Sequence, residues 1–191
     1  MIKRILFIIM AVVLMFSCKG EQKSSSSKNL PSKSLSIKNI PPKGNLEGFN
    51  DIKWGDSISV ATNILKEKKF KIISTSDEQL VTRGNFAGSD ASIILFFYKD
   101  KFYFVGITYY NKMYYEYSNL IDMLKEKYGE PNFVDNENDR KSSSWEFENN
   151  AEIVIDFFSS EYGTSISLLY NNIIMHEEKK KADRNDIINK L

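Results

Sequence analysis

Few side chains in this sequence can carry chemistry. The single histidine, His176, lies beyond the last strand-like run in a charged tail, and the single cysteine, Cys18, stands near the start. Without a histidine in the body there is no Ser-His or Cys-His pair, and neither a G-x-S-x-G elbow nor a G-K-[ST] phosphate loop occurs. Paired carboxylates could still hydrolyse a glycoside. Residues 47 to 171 hold twenty Asp and Glu, but no spacing singles out two of them, and the sequence reads as non-enzymatic.

One constellation approaches a metal site. Asp135, Glu137, Asp139, Ser143 and Glu146 fall at positions 1, 3, 5, 9 and 12 of a calcium loop. Arg140 occupies the sixth position, where such a loop needs glycine, and a strand-like run follows in place of a helix. A solvated hairpin connection is the reading that results, with no metal and no cofactor implied.

Cys18 has a different chemistry. Lys3 and Arg4 precede an unbroken apolar run from Ile5 to Phe16, the order of a secretory signal peptide. Twelve residues make about 18 Å of helix against about 30 Å of hydrocarbon, too short for a span. Leu14-Met15-Phe16-Ser17-Cys18 resembles a bacterial lipoprotein lipobox, with Met15 in the usual leucine position and bulky Phe16 where small residues are usual. That resemblance implies cleavage before Cys18 and acylation of its sulfur. Several acyl chains, at about 0.8 kcal/mol per buried CH₂, would hold the protein firmly on a membrane. Lys19 gives the mature start no acidic retention character, which favours the outer over the inner membrane.

The net charge of +1 conceals a division. Residues 19 to 46 carry six Lys and one Glu, whereas residues 47 to 171 carry 13 Lys and Arg against 20 Asp and Glu. An acidic body excludes nucleic acid as a partner, because that needs a clustered basic face. The basic stretch, with Ser24 to Ser27, Pro31, Pro41 and Pro42, reads as a disordered tether that an anionic membrane surface would attract.

Stepping along the body, Ile52 and Trp54 begin an ordered chain, and Asp56 or Ser57 caps a helix over about 57 to 69. Runs rich in β-branched and aromatic residues predict strands at 71–75, 79–86, 91–98 and 102–110. A second helix from about Lys112 carries Tyr114, Tyr117, Ile121, Leu124 and Tyr128 on one stripe and stops at Gly129. Strands follow at 132–135, 143–149, 151–158 and 164–170.

The halves match each other. Leu65-Lys66-Glu67-Lys68 recurs as Leu124-Lys125-Glu126-Lys127 at an offset of 59, Ala91, Ile93 and Phe97 recur as Ala151, Ile153 and Phe157 at 60, and Tyr109 pairs with Tyr170 at 61. The expected fold is α+β: two tandem repeats, 47–111 and 112–171, each a helix plus antiparallel strands, with both helices on one face of the sheet. Residues 1–17 are then the signal, 18–46 the lipidated cysteine and tether, and 172–191 a charged tail read as a solvated helix or frayed end. Trp54-Gly55-Asp56-Ser57 and Lys127-Tyr128-Gly129-Glu130-Pro131 resemble motifs of beta-lactamase-inhibitor-protein-like domains and of outer-membrane assembly lipoproteins of the SmpA/OmlA type. The resemblance implies helices on one face of an antiparallel sheet, and protein binding without catalysis.

Strand alternation separates the faces. Ile93, Leu95 and Phe97, with Ile153, Ile155 and Phe157, should meet the helices. The opposite face should present Ile94, Phe96, Tyr98, Phe104 and Tyr110 beside Asp156 and Phe158, an aromatic patch rimmed by carboxylates suited to a protein partner. It is either open or covered, by the tail with Ile173, Ile174, Ile187 and Ile188 or by a second molecule. A small-ligand carrier with a cavity between helices and sheet, and a carboxylate-based cell-wall hydrolase, are the alternatives.

Overall fold

A computed structural model describes residue 42 and residues 44–137 and 139–190; the leader, Cys18 and nearly all of the tether lie outside them. Asn50 and Asp51 hold φ of 52° and 72°, the mirror-image turn geometry that joins antiparallel strands without splaying them. They link β1 (Gly48–Phe49) to β2 (Ile52–Lys53), so the expected entry at Ile52 and Trp54 is half of a hairpin. Trp54 then stacks on Phe102 with ring centres 4.9 Å apart and donates from Nε1 to the Leu46 carbonyl at 2.6 Å.

The first helix, α1 (Ile58–Glu67), begins where Ser57 Oγ accepts from the Val60 amide and Asp100 accepts from the Ile58 amide at 3.0 Å. Each satisfies a donor that the first turn leaves without a helical partner. The second, α2 (Tyr114–Tyr128), begins where Glu116 reaches back to the Met113 amide at 2.9 Å. It ends at Gly129, whose φ of 89° suits a residue without a side chain.

The strands are β3 (Lys71–Thr75), β4 (Gln79–Phe86), β5 (Ser89–Tyr98), β6 (Lys101–Tyr110), β7 (Phe133–Asn136), β8 (Arg140–Phe147), β9 (Ala151–Ser160) and β10 (Gly163–Asn172). They form one eight-stranded antiparallel sheet in the order β3-β4-β5-β6-β10-β9-β8-β7. The architecture is α+β. β8 starts at Arg140, earlier than expected, so Asp135 to Glu146 folds as a β7–β8 hairpin with Asn136 opposite Lys141.

The core lies between this sheet and α1 and α2. Ile93, Leu95, Phe97, Ile153, Ile155 and Phe157 are all buried, as the alternation required, and pack with Ala61 and Leu65 of α1 and Tyr117, Leu124 and Tyr128 of α2. Burying each large side chain contributes about 1.5–3 kcal/mol. Phe49 of the small hairpin closes the core, with its ring 5.2 Å from Phe86 and 5.4 Å from Tyr170.

A third helix, α3 (Ile173–Ile188), departs directly from β10. Asn172 caps it by accepting from the Met175 amide at 3.1 Å. It packs on the sheet face away from α1 and α2.

Candidate functional site

The face opposite the core is ordered in rows that the register fixes. One row runs Gln79, Phe96, Phe104, Asn171, Glu152, Glu146 from β4 to β8. The next runs Val81, Ile94, Gly106, Leu169, Val154, Ser144, and the third Arg83, Ser92, Thr108, Ser167, Asp156, Ser142. A shorter fourth row joins Tyr110, Ser165, Phe158 and Arg140. All seven residues expected on this face, Ile94, Phe96, Tyr98, Phe104, Tyr110, Asp156 and Phe158, are therefore on it.

They do not form one open patch, because α3 covers one end. The His176 ring meets Tyr103 and Phe104 edge-on, at 5.9 and 5.7 Å between centres, and its Nδ1 lies 3.1 Å from Asn171 Oδ1. Burial pushes the His176 pKa down, against the pull of Glu177 and Glu152. Lys179 reaches over the Tyr98 ring at 5.9 Å and bridges Glu78 at 3.0 Å and Asp183 at 2.6 Å. Burial works against the Lys179 charge, but these two carboxylates outweigh it and raise its pKa. Tyr98 and Phe104 are thus part of the seat of α3. Tyr103 joins them through a bulge: Phe96 pairs with Phe104 and Phe97 with Phe102, which leaves Tyr103 extra. Burial lifts the Tyr103 hydroxyl to about 12.

At the other end the face is uncovered. Tyr110 is 56% exposed. Arg140 stands over the Phe158 ring at 5.4 Å and donates from Nε and Nη2 to Asp156 Oδ1 at 3.2 and 3.0 Å. The Asp156 side chain is only 8% exposed and Arg140 47%, so the carboxylate is held at the sheet surface by a cation that solvent reaches. Between the two ends the floor is an apolar row of Val81, Ile94, Leu169 and Val154 with Gly106 at its middle, beside the small Ser92, Thr108 and Ser167.

Two grooves flank α2 on the other side of the sheet. One, of about 220 Å³, has Lys112, Glu116, Tyr115 and Met123 among its walls; Lys112 is engaged by Glu116 at 2.6 Å and Ser89 at 3.2 Å. The other, of about 270 Å³, lies between α2 and β7 and is lined by Tyr114, Tyr117, Ile121, Asp122, Val134 and Asn136, among others.

No protein family, curated protein or solved structure matches the chain. Among the described residues no group of three or more His, Cys, Asp or Glu is placed to hold a metal ion, and Asp135 and Glu146 belong to β7 and β8. No helix of the described residues is long and apolar enough to cross a membrane. Cys18 lies outside the described residues. Sequence reasoning missed His176 and Lys179 as seating residues and Arg140 as the partner of Asp156. None had a local signal: Arg140 and Lys141 stand side by side, and only the β8–β9 register puts Arg140 on the face of Asp156.

Proposed function

We propose that this chain is a non-enzymatic envelope lipoprotein, anchored through Cys18, that holds another protein against the uncovered end of its sheet face. The observation that carries the reading is the division of that face: α3 occupies the Tyr98–Phe104 end, while Tyr110, Phe158 and the Arg140–Asp156 pair stand free at the other. An aromatic centre with a charged rim is the composition that protein interfaces favour.

The repeat reading belongs to the same proposal. Each helix is followed by a four-stranded meander, β3 to β6 after α1 and β7 to β10 after α2, and the last strands of the two meanders pair at the centre. Ile93 faces Ile107, and its counterpart Ile153 faces Tyr170. By register the counterpart of Tyr170 is Ile107, not Tyr109, so the offset of 61 is not a structural match. Gly106 and Leu169 sit opposite each other at the centre of the β6–β10 pairing.

A small-ligand carrier is less well supported. Grooves of about 220 and 270 Å³ fall below the usual range of about 300–1,000 Å³ for ligand sites.

Two experiments test the proposal. Cys18→Ser should abolish detergent-phase partitioning; unchanged partitioning would remove the anchor. Tyr110→Ser combined with Phe158→Ser should abolish capture of the partner from crosslinked cells while costing about 2–4 kcal/mol of stability, most of it from the half-buried Phe158. Undiminished capture would remove the site.

A further inference from the structure

The sheet has two edges, and they are treated differently. β3 carries Lys71 and a register shift between Ile72 and Ser74, both of which discourage a foreign strand. β7 has an unbroken register against β8, no lysine, and, among the described residues, no strand on its outer side. It also borders the groove of about 270 Å³ against α2.

That groove is built to receive alternate side chains. Val134 and Asn136 form one wall, and Tyr114, Tyr117 and Ile121 of α2 the other. A strand laid about 4.8 Å outside β7 would send every second side chain, about 7 Å apart, between those walls. Phe133, half exposed and on the opposite face of β7, would flank the side chains that point the other way.

The charge at this edge selects the occupant. Residues 130 to 139 contain four carboxylates and no cation. Within the groove Lys125 is taken by Glu130 at 2.8 Å, while Asp122 has no ion pair among the described residues. A second copy of β7 would bring carboxylates against carboxylates. A basic strand would meet them with opposite charge.

We propose that the outer edge of β7, with the groove between β7 and α2, takes an extended lysine- or arginine-bearing segment of a partner protein as an added strand. The groove lies on the other side of the sheet from Tyr110 and Phe158, although Phe133 and Asp135 border their face, and Phe158→Ser separates the two readings.

The test uses the full-length chain in detergent and a labelled decapeptide alternating Lys and Val, followed by fluorescence anisotropy and by hydrogen exchange of the β7 amides that point away from β8. Binding should protect those amides and weaken about tenfold from low to physiological salt. It should fall by about tenfold or more when alternate peptide nitrogens are methylated, because the edge hydrogen bonds are then lost. Asp122→Lys should weaken it about fivefold, and Phe158→Ser should leave it unchanged. A methylated peptide that binds as well as its parent would reduce the contact to charge alone and overturn the proposal, as would absence of binding. Protection of these outward amides already present without peptide would also overturn it, assigning the edge to the chain's own basic tether if independent of protein concentration and to a second copy if not.

Discussion

Truncating one aromatic ring at each end of the sheet face should give unequal losses. Phe104 is half-buried, with ring centres 5.3 Å from Phe96, 6.4 Å from Tyr103 and 5.7 Å from His176. Complete burial makes Phe→Ala cost about 3–5 kcal/mol, and half of that, with one aromatic pair at about 0.5–1.5 kcal/mol, gives about 2–4 kcal/mol for Phe104→Ser. Phe158 is half-buried too, and half of the same cost with the cation–π contact to the partly exposed Arg140 at about 0.5–1 kcal/mol gives about 2–3.5 kcal/mol for Phe158→Ser. For a chain of this size 1 kcal/mol moves Tm by about 2–4 °C, so both variants should melt at least about 4 °C below the parent, and the inequality lies in α3: only Phe104→Ser removes the ring under His176. Thermal unfolding followed by circular dichroism measures the global loss, and hydrogen exchange of the α3 amides measures the local one. Unchanged α3 protection in Phe104→Ser, or an equal loss of it in Phe158→Ser, would refute the seating of α3 on that end of the face.

Other perturbations follow from single contacts. His176 has its pKa lowered by burial, so detaching α3 takes up a proton. The stability of its docking is full above the unfolded value of about 6.5 and is lost as pH falls through the lower folded value. Asp51, Asp90 and Glu116 also have lowered values, from already acidic starting points. They act at lower pH, so a loss of α3 amide protection just below pH ~6.5, absent in His176→Asn, identifies the histidine. A methyl group on Gly84 would stand 2.5 Å from Phe70 Cδ1, and Gly84→Ala should cost about 1–3 kcal/mol by overpacking, read as a shifted urea midpoint at constant m-value. Arg140→Ala leaves the nearly buried Asp156 carboxylate without its cation. The half-exposure of Arg140 tempers the loss to about 1–2 kcal/mol, and the further change Asp156→Ala should restore part of it, measured as a double-mutant cycle.

Much of the body was legible because its signals are local. The alternation of Ile93, Leu95 and Phe97 assigns β5 its faces, Gly129 stops α2, and Ser57 starts α1. The hairpin of β1 and β2 was not read, because two-residue strands leave almost no period and only the Asn50-Asp51 turn marks it. The seat of α3 was not legible. Its sequence has no helical stripe, and of the four isoleucines expected to cover the sheet Ile173 is half-buried while Ile174, Ile187 and Ile188 are 53%, 62% and 56% exposed. The helix is held instead by polar groups, His176 against Asn171 and Lys179 against Glu78. The second pair is 101 residues apart in the chain, a distance over which no local pattern carries information. For the same reason the aromatic patch was correctly placed on one face while its division into a covered and an open end could not be read.

The central claim is that the free end of this face, and not the end under α3, meets another protein. A photo-crosslinking amino acid placed at Tyr110 in the full-length chain in cells tests it against the same group at Tyr98. The account predicts a discrete protein adduct from Tyr110 that Phe158→Ser removes, and from Tyr98 only crosslinks within the chain to α3. Adducts from Tyr98 to another protein, or none from Tyr110, would contradict it.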